Sequence, residues 1–208
     1  MQSHVVLNTE VLNKMSVKRE NKRYGLMPPA PGRILISEPF LQDFYFRRSI
    51  VLLAEHNEEG SFGIIVNKRV DVRFNDVIKG FPKFNAPLYL GGPVQTSNLY
   101  FIHTLGDAIE NSLKLTKGIY WGGDIEQVKE MMTLGQLNPE NIRFFIGYAG
   151  WVSKQLDREL DENSWVVATA TTEQLITQNP ENLWRNIVKT LGKDFAIWAN
   201  YPPDPLLN

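Results

Sequence analysis

Cysteine is absent from the 208-residue chain, which excludes disulfides, thiolate nucleophiles, iron–sulfur clusters and cysteine-based zinc sites at once. The phosphate-cradling signatures are missing too. No Gly-x-Gly occurs and no Gly-Lys-Ser/Thr closes a glycine loop, so there is neither a dinucleotide fingerprint nor a triphosphate loop. The string nearest to a nucleophile elbow, Gly60-Ser61-Phe62-Gly63, has the wrong spacing for Gly-x-Ser-x-Gly and lies in a hairpin pattern. Histidine is scarce, with three residues. His4 lies near the start, so a two-histidine, one-carboxylate site needs His56 and His103 to meet Glu55, Asp107 or Asp157, and their spacing carries no local signature for it. A histidine satisfied by a backbone carbonyl is the simpler reading. No metal and no cofactor are therefore expected.

Long apolar runs are also lacking. The most apolar stretch, residues 50–54, is far short of the roughly 18 residues that mark a spanning helix. The first residues lack a basic region followed by an apolar one and a small-residue cleavage site. A cytoplasmic protein without membrane association is expected. A net charge of −1 and a pI near 6.3 argue against a surface that is wholly a nucleic-acid or anionic-membrane footprint. Hydrophobic residues at 43% and charged residues at 22% are those of a chain that buries a proper core.

What is present begins with a segment, residues 1–27, that reads as a basic arm. Lys14, Lys18, Arg19, Lys22 and Arg23 concentrate charge there, and Val5, Leu7, Val11, Leu12 and Met15 trace a weak amphipathic helix. A solvated basic face is the plain reading, a nucleic-acid arm the sharper one. The stiff Met-Pro-Pro-Ala-Pro-Gly boundary leads into one expected domain over residues 28–208. Branched and aromatic runs predict strands over 34–36, 49–54, 63–66, 88–90, 99–104, 118–121 and 165–170, with a hairpin turning at 56–60. Helices are expected over 72–81, from Asp124 to Gly135 with Gln127 completing a capping box, and over 180–192.

The chain is organised around residues 142–165. Ile142, Phe144, Phe145 and Ile146 predict a central strand, Gly147 and Gly150 break it, and Ser153 is the expected cap of a short helix whose face carries Val152, Leu156 and Leu160. Strands in clusters with helices mostly late give an α+β class and a mixed β-sheet, not a doubly wound fold.

Strand ends beside glycine turns supply the candidate ligand cleft. Gly91, Gly92 and Pro93 form a turn that reads either as an anion-binding nest or as a packing device. Arg48, His56, Asn67, Gln155 and Glu159 stand near other glycine-marked turns, with Trp151 as a flat apolar wall and His103 at a strand end. They line one cleft if the turns meet at a common rim; otherwise they form a buried hydrogen-bond network.

The fragments at 31–37, 43–56, 60–68, 90–94, 101–103, 118–124 and 147–165 occur in the order and spacing seen in the AlgH/YqgE family, which this chain resembles from residue 31 onward. The resemblance implies a mixed sheet partly closed into a small barrel, flanked by helices, in a cytoplasmic bacterial protein. It implies no established reaction, although members are often labelled transcriptional regulators. Lys154 stands where the family usually has glycine, and Phe62 where a small residue is common; a cation at position 154 favours an anionic ligand. The expected function is a non-enzymatic regulatory or binding protein acting through a small ligand or protein partner. The alternatives are a DNA-binding regulator using the basic arm, and an enzyme using His56 and His103 on a small molecule.

Overall fold

The computed structural model describes residues 27–177 and 179–202, so the basic residues of the expected arm lie outside the described residues. Its strands are β1 (Ile34–Ser37), β2 (Ile50–Asn57), β3 (Gly60–Ile65), β4 (Arg69–Arg73), β5 (Pro87–Leu90), β6 (Val94–His103), β7 (Leu113–Thr116), β8 (Ile119–Trp121), β9 (Ile142–Val152) and β10 (Trp165–Ala168). Its helices are α1 (Phe74–Val77), α2 (Ile125–Thr133), α3 (Gln155–Asp161), α4 (Thr172–Leu175), α5 (Leu183–Thr190) and α6 (Lys193–Ala196).

The branched and aromatic run at 142–146 forms the start of the longest strand, and that strand is central. The sheet order is β10-β1-β2-β3-β9-β6-β8-β7, with β5 also paired to β9 and β4 to β5. One edge of β9 takes β6 from Ile142 to Tyr148. The other takes β5, in parallel, at Phe144 to Ile146 and then β3 at Ala149 to Val152. At the handover Gly91 donates its N–H to the Ile146 carbonyl at 2.8 Å and accepts from Ile65 N at 2.7 Å. The strand thus runs through both glycines, where a break was expected.

Strict alternation along β1 sends Ile34 and Ile36 to one face and Leu35 to the other. On the first face Ile50, Leu52 and Ile64 meet Leu183, Trp184, Ile187 and Val188 of α5 and Phe195 of α6. On the second, Val51, Leu53, Trp151 and Trp165 meet Leu156 of α3, with Phe46 against them. A third core joins Phe74, Phe101 and Phe144 to Val128 and Met132 of α2.

The sheet is not closed into a barrel. It buries its faces against helices, while β10 and β7 stand at opposite ends of the strand order without pairing. Local elements also differ from the sequence pattern. Lys154, in the left-handed region at φ 58°, caps α3, while Ser153 Oγ donates to the Glu58 carbonyl at 2.6 Å and Val152 is 69% exposed. Asp124 caps α2 as expected, but the Gln127 side chain accepts from Glu110 N instead of completing a box. The helix expected over 72–81 is the single turn α1, and residues 180–182 form a 3-10 turn before α5.

Gly147 sits at φ 68°, and a Cβ there would lie 2.4 Å from the Gly92 carbonyl oxygen. Gly135, at φ 69°, has nothing within 4 Å. Gly147→Ala should therefore cost at least about 3 kcal/mol, strain plus overpacking, and Gly135→Ala only about 1 kcal/mol. Urea denaturation of the two variants checks the contrast.

Candidate functional site

The glycines gather. A Cβ on Gly91 would fall 2.2 Å from the Gly147 oxygen, and one on Gly92 would fall 2.1 Å from the Tyr148 oxygen. The space a side chain would fill is occupied by neighbouring backbone. Gly91 and Gly92 are buried there, and Pro93 alone of that turn is exposed.

The polar candidates fall into three other places. At the start of β2, Asn67 is 7% exposed, accepting from Ile50 N at 2.8 Å and donating to the Arg48 carbonyl at 2.9 Å. Arg48, at φ 52°, donates to the carbonyls of Tyr201 and Pro202 and lies 4.9 Å over the Trp184 ring. Burial, then Arg185 and Arg47, press its pKa below the ordinary guanidinium value.

At the far end of β2, His56 Nδ1 pairs with Ser61 Oγ at 2.8 Å. Nearby, the Glu159 carboxylate accepts both indole N–H groups at one oxygen, from Trp151 at 2.8 Å and Trp165 at 2.7 Å, and Gln155 at the other at 2.9 Å. Gln155 in turn accepts from Val152 N at 3.1 Å. Charge-assisted bonds of this kind tie α3 to both β9 and β10. Lys154 is exposed beside this clasp.

His103, fully buried, lies at the end of β6. Leu105 N donates to its Nδ1 at 3.3 Å, so Nε2 carries the hydrogen and points to Ser112 Oγ at 2.9 Å and the Gly122 carbonyl at 3.1 Å. Burial lowers its pKa, against a smaller raising effect from the Gly122 carbonyl. His103 pairs with Ile142 of β9, whereas Ser61, the partner of His56, pairs with Trp151. Those two positions on one strand are about 30 Å apart, so the histidines do not converge. Among the described residues no group of three or more His, Asp or Glu could hold a metal.

Two features went unread in the sequence. Arg143, 2% exposed, donates to the carbonyls of Val66, Leu175 and Thr177 and lies 4.4 Å over the Tyr89 ring. Burial presses its pKa down, against raising effects from Tyr89 and Glu181. A lone arginine inside an apolar strand run was its signal. The second feature is an aromatic surface. Phe62, Tyr100, Trp121 and Tyr148 are each half-buried and belong to β3, β6, β8 and β9. Their centroids are spaced from 4.7 Å (Phe62 to Tyr148) to 5.8 Å (Tyr100 to Trp121). A Cβ on Gly150 would stand 3.0 Å from the Tyr148 ring, so that glycine makes room for it.

A family model described as AlgH-like matches residues 34–196. The chain belongs to the AlgH-like family. Relatives include a UPF0301 protein of Parabacteroides distasonis, 44% identical over 86% of this chain and 92% of its own length. Another, from Cytophaga hutchinsonii, is 43% identical over 85% and 98%. The solution structure of AlgH from Pseudomonas aeruginosa is similar with a TM-score of 0.66 at 26% identity, covering 85% of this chain and 97% of AlgH. A crystal structure from Corynebacterium diphtheriae gives 0.70 at 26% identity, covering 84% and 94%. No helix among the described residues of this AlgH-like chain is long and apolar enough to cross a membrane.

Truncating Asn67 to alanine strands the buried Ile50 N–H, and should cost about 2 kcal/mol in denaturant titration. The lowered pKa of His103 means that the unfolded chain takes up a proton first. Stability should then fall as pH drops below about 6.5. His103→Gln should flatten that part of the slope between pH 7.5 and 5.5, read from urea midpoints.

Proposed function

We propose that this AlgH-like protein is a non-catalytic binding protein that exerts any regulatory effect through a protein partner, docked on the surface of Phe62, Tyr100, Trp121 and Tyr148. The observation that carries the reading is those rings, packed edge and face on one another yet left partly open to solvent. Tyrosine and tryptophan dominate the energetic centres of protein interfaces, because each offers large apolar area and a polar tip at low entropic cost. The hydrogen bonds that Asn67, Gln155, Glu159 and His103 make are, by contrast, to backbone, to one another, to two indoles and to Ser112, all within the fold, which supports a structural role for them.

A photo-crosslinking residue placed at position 100, and separately at the exposed position 134 after α2, tests the reading in cells. One adduct of defined mass should form from position 100, none from 134, and Trp121→Ala should abolish it while the variant still melts cooperatively. The same adducts at both positions, or none at either, would overturn it.

A further inference from the structure

The loop after α1 and the first turns of α2 flank a groove of about 680 Å³ whose floor is one face of β6, independent of the aromatic surface. Ser97, Leu99 and Phe101 form that floor by strand alternation, and Ile78, Phe81 and Ile125 form its walls. Leu99, Ile78, Phe81 and Ile125 pack on the third core without being sealed by it. The groove is open, and its volume falls within the range of small-molecule sites.

Its ionisable lining is basic, and one of the two cations is already paired outside the groove. The ionisable lining residues are Lys79 and Lys129, and no acid lines it. Lys79 Nζ donates to the carbonyls of Asn75 at 3.3 Å and Asp76 at 3.0 Å, which are neutral acceptors. Lys129 Nζ is paired with Glu126 at 2.6 Å and lies 5.0 Å over the Phe81 ring, the cation resting above an apolar wall. A largely apolar lining that includes two lysines complements a molecule that is aliphatic along its length and carries an anionic group. A concave trough also suits a single detached molecule better than a bilayer surface.

We infer that the groove between the loop after α1 and α2 binds a single-chain amphiphilic carboxylate, a medium-chain fatty acid in chemical class, with its chain along Leu99 and Phe101 and its head at Lys79 and Lys129. The carboxylate takes charge-assisted bonds from the lysines while the chain is removed from water.

The probe is laurate, titrated calorimetrically into the full chain below its micellar concentration, with dodecanol as the neutral match. Laurate should saturate one site and bind about tenfold tighter than dodecanol, the size of one charge-assisted contact. Lys129→Met and Lys79→Met should each weaken laurate while leaving dodecanol unchanged, and one of the two doing so suffices. Ser97→Trp, filling the floor from an exposed position, should abolish both without lowering the melting temperature. Equal binding of laurate and dodecanol, indifference to both lysine variants, or unaltered laurate binding in Ser97→Trp would each overturn the inference.

Discussion

A strand has two edges, and β9 must serve three neighbours. Its edge opposite β6 is shared end to end by β5 and β3, and a shared edge leaves backbone groups unpaired at the join unless something fills it. Gly91 fills it, giving its N–H to β9 and its carbonyl to Ile65. The fit requires backbone to lie against backbone, since the Cβ of any other residue at 91, 92 or 147 would overlap a carbonyl. Both arms of the sheet and the helices on their faces are placed by this junction.

The same economy governs the buried cations. Arg143 meets three carbonyls, two of them at or just beyond the C-terminus of α4, where the peptide dipoles favour positive charge. Arg48, half-buried, closes on the carbonyls of Tyr201 and Pro202 through one terminal nitrogen and leaves its Nε without a partner. At Arg143, carbonyls and a stacked ring take the place of a carboxylate, so the desolvation cost is met by several modest bonds. Each arginine fastens a late segment of the chain to the sheet. Asn67 and Glu159 act likewise at shorter range.

This explains what was legible beforehand. The central strand, the hairpin at β2 and β3, the Asp124 cap and the Leu183–Ile187 stripe of α5 are written in local pattern, and local pattern survives folding when burial agrees with it. Strand β4, Arg-Val-Asp-Val-Arg, is largely exposed, and β7, Leu-Lys-Leu-Thr, is short and has no buried residue, so neither shows the density of a buried run. Barrel closure depends on which edges meet, a property no single segment carries. The glycines were visible as special positions, but close backbone packing and an open turn require the same residue. Gly147 also shifts the pleat: Phe145 and Tyr148, three apart, join the same core, whereas regular alternation would part them. Trp151 consequently faces α3 and Tyr148 the opposite side.

That shift in the pleat is also what assembles the aromatic surface. By placing Tyr148 beside Tyr100 and Phe62, it extends the face covered elsewhere by α5 and α6 to an end where half-buried rings pack on the core and on one another. Tilted and edge-on contacts hold each ring in place, and Tyr100 is further held by the bond from its hydroxyl to Gln95 at 3.3 Å. Rings fixed in this way have already lost the rotamer freedom that docking would otherwise remove. The surface is therefore pre-organised, and the area that the proposed partner would cover there would convert to affinity with less entropic loss than the same area of mobile side chains.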